Sequence, residues 1–200
     1  MNNNKNNIMN IMMVGVGGQG SLLASRILGA VALKLNYDVK VSEVHGMSQR
    51  GGSVVTYLKY GEKIYSPVIC QGEADILLAF EQLEALRWLP YLKKGGTIIA
   101  STYKINPATV ITGAIEYPKD ISKTISETGV KLIDIDAFDL AKQAGNDKAS
   151  NVVLIGVLAK LMKDDIAKDV YIEALRESIS SKLFDMNLEA FNLGYDVYKS

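Results

Sequence analysis

The chain has 200 residues, 48% of them apolar and 22% charged, a globular balance that buries a sizeable core without help from metals or disulfides. Its 22 basic residues cancel its 22 acidic ones, which argues against nucleic acid or an anionic membrane as the main partner, since both favour a basic surface. The one cysteine, Cys70, excludes an internal disulfide, a zinc site built on thiols and an iron–sulfur cluster, which takes about four thiolates.

Residues 2–7 are polar and expected to be loose. Residues 8–14 then form a short apolar run bounded by glycine, the pattern of a strand buried on both faces. In residues 21–35, Leu22, Leu23, Ile27, Leu28, Val31 and Leu35 recur at helical spacing. A turn at Asn36-Tyr37-Asp38 leads to a second strand, Val39-Lys40-Val41, so the opening β-α-β unit predicts a parallel pair with a right-handed crossover. Residues 53–60 alternate as a strand, Gly61-Glu62 turns, and residues 63–66 continue as a hairpin that Pro67 ends. That predicts a mixed sheet with an antiparallel excursion at one edge. Cys70 is expected as a buried or half-buried small hydrophobe. Residues 74–80 are another buried strand and residues 81–91 a helix with Leu83, Leu86 and Leu89 on one side; Gly95-Gly96 turns into a strand at 97–101. Residues 111–116 and 131–135 are further strand candidates, and the last third predicts helices over 150–162, 166–180 and 188–198. With no repeats and no linker-like tract, residues 1–200 are expected to form one domain. Its class is α/β: a three-layer Rossmann-like domain with a mostly parallel mixed sheet, a β-hairpin excursion and C-terminal helices. The Asn-rich start lacks a signal-peptide pattern and no apolar run reaches the roughly 18 residues needed to cross a bilayer, so a cytoplasmic location is expected.

Between the first strand and helix lies Gly15-Val16-Gly17-Gly18-Gln19-Gly20, followed by Ser21. A helix start offers unpaired N–H groups and a partial positive charge to a phosphate or carboxylate. Glycine at 15 permits a tight turn, at 17 lets a ligand approach the backbone, and at 20 lets helix and strand pack closely. Glu43, 23 residues beyond Gly20, sits where the acid of a dinucleotide fingerprint contacts a ribose. On this spacing NAD or FAD binding is one reading; glycines that merely permit close packing are the other. Gln19 puts an amide that both donates and accepts at the mouth of the anion site, or faces solvent.

The second notable segment is Ser42-Glu43-Val44-His45-Gly46-Met47-Ser48-Gln49-Arg50-Gly51-Gly52-Ser53. It follows the carboxyl end of the second strand, where open α/β sheets place ligands, and shows no hydrophobic period. Glu43, His45 and Arg50 are the catalytic candidates: His45 titrates near neutral pH, and Arg50 offers a fork of donors to a carboxylate or phosphate. Their bland alternatives are a loop-ordering hydrogen bond for His45 and a salt bridge for Arg50. No serine–histidine–acid set and no metal-ligand cluster is legible.

Taken together, these two segments resemble the gamma-type component of the 2-oxoacid:ferredoxin oxidoreductases. The Val44-His45-Gly46-Met47-Ser48-Gln49-Arg50 stretch is similar to the indolepyruvate branch, whose small subunit is called beta. The resemblance extends through Gly72-Glu73-Ala74-Asp75-Ile76-Leu77-Leu78-Ala79-Phe80-Glu81, the Lys94-Gly95-Gly96-Thr97 turn, Asn151 and Phe191-Asn192-Leu193-Gly194-Tyr195. It implies an enzyme that converts an aryl-pyruvate and coenzyme A to an aryl-acetyl coenzyme A, carbon dioxide and two reduced ferredoxins. It also implies thiamine diphosphate, magnesium and iron–sulfur clusters on a larger partner subunit, because this chain has no Gly-Asp-Gly diphosphate segment and one cysteine. The isolated chain is then expected to be inactive. The two loops, with Ser42, Met47, Ser48, Gln49, Gly51 and Gly52 beside the candidates above, would anchor the partner near the thiamine site or contact a phosphate of coenzyme A. The competing functions are an autonomous NAD(P)- or flavin-binding reductase and a non-catalytic interaction module.

Overall fold

The computed structural model describes residues 8–45 and 52–199, His45 by its backbone alone. Residues 1–7, expected to be loose, and Met47, Ser48, Gln49, Arg50 and Gly51 lie outside the described residues.

Six strands form one mixed sheet. In chain order they are β1 (Met9–Val16), β2 (Asp38–His45), β3 (Ser53–Gly61), β4 (Ala74–Ala79), β5 (Leu92–Ser101) and β6 (Lys131–Ile135); in space they run β2-β3-β1-β4-β5-β6. The β1–β4, β4–β5 and β5–β6 pairs are parallel, and β3 is antiparallel to both β1 and β2. Side chains alternate across the sheet. Ile11, Met13, Leu58, Ile76, Leu78, Ile99 and Ile133 enter one core; Met12, Val14, Val55, Leu77, Ile98 and Ala100 enter the other. Strands buried on both faces need apolar residues at both parities, which explains the apolar runs at 11–14 of β1, 76–79 of β4 and 98–100 of β5.

Helices cover both faces. One side carries α1 (Ser21–Lys34), α5 (Ala137–Gln143), α6 (Ser150–Leu161), α7 (Lys168–Ser178) and α8 (Ser181–Val197), while α2 (Gln82–Trp88) and α4 (Ile121–Ser126) pack on the other; a one-turn α3 (Ala108–Ile111) precedes α4. Nine consecutive residues of α6, Asn151 to Ala159, are buried. An all-round apolar helix of this kind is a core element rather than a surface one.

Several expectations are corrected. The first β-α-β unit is not a bonded parallel pair: β1 and β2 run parallel, but β3 lies between them and hydrogen-bonds to both. Its hairpin partner is therefore β2, not residues 63–66; the antiparallel excursion does lie at one edge of the sheet, with β2 outermost and β3 inside it. With both edges of β3 occupied, residues 63–66 have no strand to join; Ile64 instead donates its N–H to Asp38 Oδ2 at 2.9 Å and buries its side chain. The second strand does not stop at Val41. It continues through Glu43 and His45, since the alternation is kept by polar residues that pair across to Thr56 and Val54. Residues 111–116 are not a strand but the end of α3 and a turn at Gly113, whose φ is 75°. Helices α4 and α5 were not legible, and α8 starts at Ser181 because Phe184 and Asn187 extend its buried stripe toward the N-terminus. Cys70 is exposed.

The tightest packing lies where α6 crosses α8. A Cβ at Gly156 would collide with the Phe191 carbonyl and lie 2.8 Å from Tyr195 N, and one at Gly194 would collide with the Val153 carbonyl. Both obstacles are backbone, which cannot rotate away. Gly156→Ala is accordingly expected to lower the unfolding free energy by about 1–3 kcal/mol, as overpacked cores do. A urea midpoint equal to that of the parent chain would contradict this crossing.

Candidate functional site

The glycine segment occupies the point where strand order reverses, between the carboxyl ends of β1 and β4. In doubly wound sheets this crevice is where a dinucleotide pyrophosphate sits. Here it is filled from within. Gln19 Oε1 accepts the Val16 N–H at 2.7 Å and Gln19 Nε2 donates to the Phe80 carbonyl at 2.8 Å, so one amide bridges both strand ends. Gly15 admits this arrangement: a Cβ there would stand 2.7 Å from Gln19 Oε1 and 3.1 Å from the Phe80 side chain. The Gln19 amide is thus bonded within the chain, while the residue also lines a neighbouring cavity.

The helix start is braced as well. Gly20, the α1 cap, has φ 81° and therefore favours glycine. A Cβ at Gly20 would collide with Asn151 Nδ2, which donates to the Gly20 carbonyl at 3.0 Å. Asn151, 2% exposed, also accepts the Val152 N–H at 2.9 Å and so ties the starts of α1 and α6 together. The Gly17 N–H donates to the Gly52 carbonyl at 3.0 Å and the Gln19 N–H to Val16 at 3.2 Å. Gly18 contributes the wall of a cavity of about 200 Å³ that reaches to Tyr103, Phe138 and Ser150. Tyr103 and Phe138 stack there with centroids 4.3 Å apart.

Glu43 lies beside the glycine segment as its spacing predicted, but for a different reason. From β2 its Oε2 accepts the Ser21 hydroxyl at 3.2 Å and the Thr56 hydroxyl at 3.3 Å. The carboxylate stands near the positive end of α1 and is bonded to these two hydroxyls of the chain. Ser42 does not join it, because strand alternation puts neighbours in β2 on opposite faces of the sheet. Among the remaining candidates, the His45 backbone pairs with Val54 at the end of β2. Arg50 falls outside the described residues, as do Met47, Ser48, Gln49 and Gly51.

Residues that sequence reasoning missed hold the far end of the same connection. Ser53 donates to Glu84 Oε2 at 2.5 Å, which also accepts Trp88 Nε1 at 3.1 Å, while Glu84 Oε1 pairs with Arg87 Nε at 3.1 Å. Glu84 is 4% exposed, and this full set of donors is what makes a buried carboxylate tolerable. The signal for it was Glu84 and Trp88 at i, i+4 on a helix otherwise apolar toward the sheet. Next to it Glu81 is also buried. It accepts Tyr117 Oη at 2.6 Å, Ile105 N at 3.1 Å and Glu84 N at 3.0 Å, fixing the chain beyond β5. Burial, then the bond to Glu81, pushes the Tyr117 phenol well above its ordinary range, so it stays a donor.

No group of three or more His, Cys, Asp or Glu side chains converges as a metal site among the described residues, and no described helix is long and apolar enough to cross a membrane. The sequence pattern of the family described as pyruvate ferredoxin/flavodoxin oxidoreductase matches residues 10–197. The indolepyruvate oxidoreductase subunit IorB of Thermococcus kodakarensis is 43% identical over 193 residues, covering 95% of this chain and 96% of that one. The IorB of Archaeoglobus fulgidus is 37% identical over 190 residues, covering 94% of each. Among solved structures, the pyruvate oxidoreductase subunit PORC of Thermotoga maritima superposes with a TM-score of 0.71 at 18% identity, covering 94% of this chain and 96% of that chain. The 2-oxoglutarate:ferredoxin oxidoreductase of Magnetococcus marinus gives 0.71 at 19%, this fold covering 96% of the present chain but 32% of the longer one. The chain belongs to the pyruvate ferredoxin/flavodoxin oxidoreductase family, as a gamma-type component of the 2-oxoacid:ferredoxin oxidoreductases.

Proposed function

We propose that this chain is the small subunit of a cytoplasmic indolepyruvate:ferredoxin oxidoreductase. In that reaction an aryl-pyruvate and coenzyme A give an aryl-acetyl coenzyme A, carbon dioxide and a proton, while two ferredoxins each gain one electron. The observation that carries the reading is the gap in identity. The chain is 43% identical to an indolepyruvate oxidoreductase subunit, but 26% to a ketoisovalerate oxidoreductase subunit and 27% to a 2-oxoglutarate synthase subunit.

Iron–sulfur clusters do not fit this chain, because Cys70 is a lone exposed thiol where a cluster takes about four. Nor does its sequence offer a Gly-Asp-Gly segment to magnesium and thiamine diphosphate. These groups are assigned to a larger partner subunit, which also meets ferredoxin. The chain's own contribution is positional. Glu43 with Ser21 and Thr56, Gly17 with Gly52, and Ser53 with Glu84 fix both ends of the connection that carries His45 and Arg50. Because the Gly17 N–H and the Gln19 amide are bonded within the chain, we favour partner anchoring over phosphate binding. The bonding of Glu43 to Ser21 and Thr56 favours the same reading over an autonomous NAD(P)- or flavin-binding reductase.

Co-expression with the large subunit tests the assignment. Only the pair should reduce a viologen dye with indolepyruvate and coenzyme A, and pyruvate or 2-oxoglutarate should support slower turnover. Turnover by the isolated chain, or its thermal stabilisation by NADH, would overturn it. Arg50→Ala is expected to weaken turnover or assembly of the pair without changing the melting temperature of the isolated chain; parent-like kinetics and assembly would remove Arg50 from the site. Gln19→Ala strands the Val16 N–H and the Phe80 carbonyl, so unfolding free energy should fall by about 1–3 kcal/mol. An unchanged urea midpoint would show that the amide does not brace the strand ends.

A further inference from the structure

At the other end of the sheet, roughly 23 Å away along the eight residues of β1, is a second cavity, of about 310 Å³. It lies at the lower end of the range for small-molecule sites. At about 30 Å³ per water its volume is that of roughly ten waters, so an occupant of about ten non-hydrogen atoms fits. Met9, Met162 and Ile166 give it apolar and thioether walls, Tyr60 at the end of β3 closes it, and Tyr37 and Asp165 stand at its rim. Nothing in the proposed oxidoreductase function uses these residues.

Two polar groups that line this cavity have no protein partner among the described residues. Tyr60 is 8% exposed and its hydroxyl makes no hydrogen bond among the described residues. Because that oxygen lines the cavity, it is free to meet a small molecule there. Asp165 makes no ion pair among the described residues, and no lysine or arginine lines the cavity. The Tyr37 and Tyr60 rings, both of which line the cavity, lie 5.5 Å apart at 40°.

We infer that this cavity binds a small organic cation, an ammonium group on an aromatic or alkyl body. The aromatic faces attract a cation through their quadrupoles. The Asp165 carboxylate and the Tyr60 oxygen accept from its N–H groups, and the methionines and isoleucine pack on the body. Burial first, then Tyr37, Asp165 and Asp75, pushes the Tyr60 phenol well above its ordinary range. Burial disfavours a charge of either sign; it is the Asp165 and Asp75 carboxylates that favour a cation over an anion there.

Three probes of one shape and different charge test this on the full chain, alone and in the co-expressed complex: 2-phenylethylammonium, 2-phenylethanol and phenylacetate. Titrations followed by amide NMR shifts should give saturable binding of the cation at Met9, Tyr37 and Ile166. Its affinity should be about tenfold above that of the alcohol, with none detectable for phenylacetate. Asp165→Asn should weaken the cation about threefold, in keeping with a partly solvated ion pair, and leave the alcohol unaffected; Tyr37→Ala should weaken the cation a few-fold. Both residues are exposed, so neither change threatens folding. Equal binding of the three probes, no saturable binding, shifts confined to other regions, or cation affinity indifferent to both substitutions would each overturn the inference.

Discussion

The arrangement around the glycine segment depends on one side-chain amide. Adjacent parallel strands end with an N–H on one and a carbonyl on the other that have no further ladder partner. Gln19 supplies both at once, accepting from Val16 and donating to Phe80. Each such bond is worth about 1 kcal/mol net, but leaving the buried groups unpaired costs more, so the amide specifies position more than it adds stability. With Gln19 turned inward, the segment has one available path. Gly20 meets Asn151, α1 begins there, and the Gly17 N–H is aimed at Gly52. A loop whose spacing matches a dinucleotide fingerprint is thereby converted into a joint between β1, β4, α1, α6 and the β2–β3 connection.

A pair of buried carboxylates does the corresponding work on the opposite face. Glu81 and Glu84 sit in and before the first turn of α2, where the helix start favours negative charge. Glu81 gathers three donors from three parts of the chain, and Glu84 couples Ser53 to Trp88 and Arg87. Without these donors two acids so close together in a water-poor place would be strongly unfavourable. With them, the acids fix the segments after β5 and before β3 relative to the sheet. Ser53 and Gly52 are neighbours in sequence, so the amide brace and the acid brace converge on the same end of the β2–β3 connection.

The parts legible in the sequence were those where one physical signal dominates. Two-sided burial makes β1, β4 and β5 read as apolar runs, and the C-terminal helices follow from their helical spacing. The insertion of β3 between β1 and β2 was not legible, because residues 53–60 carry the same alternation whichever strand they pair with. Residues 111–116 looked like a strand through Ile111 and Ile115, which turn out to be exposed at the end of α3 and in the bend after it. For the site, spacing placed Glu43 beside the glycine segment but could not tell a ribose contact from a bond to Ser21 and Thr56. Likewise, a glutamine beside glycines reads the same whether it faces inward or outward; what decides is the Phe80 carbonyl, 61 residues away in the chain. Glu84 was missed because buried carboxylates are rare enough that a helical glutamate is read as surface by default.

These braces also bear on what association with another subunit costs. A surface that must be ordered at the moment of association costs side-chain and loop entropy, which is subtracted from the binding free energy. Here both ends of the β2–β3 connection are tied before any partner arrives, by strand pairing at His45 and Val54 and by Gly17, Glu43 and Glu84 elsewhere. The polar groups doing this are satisfied inside the chain, so they need not be desolvated again at an interface. Gln19 and Glu43, whose sequence pattern suggested ligand chemistry, are bonded instead to groups of this chain.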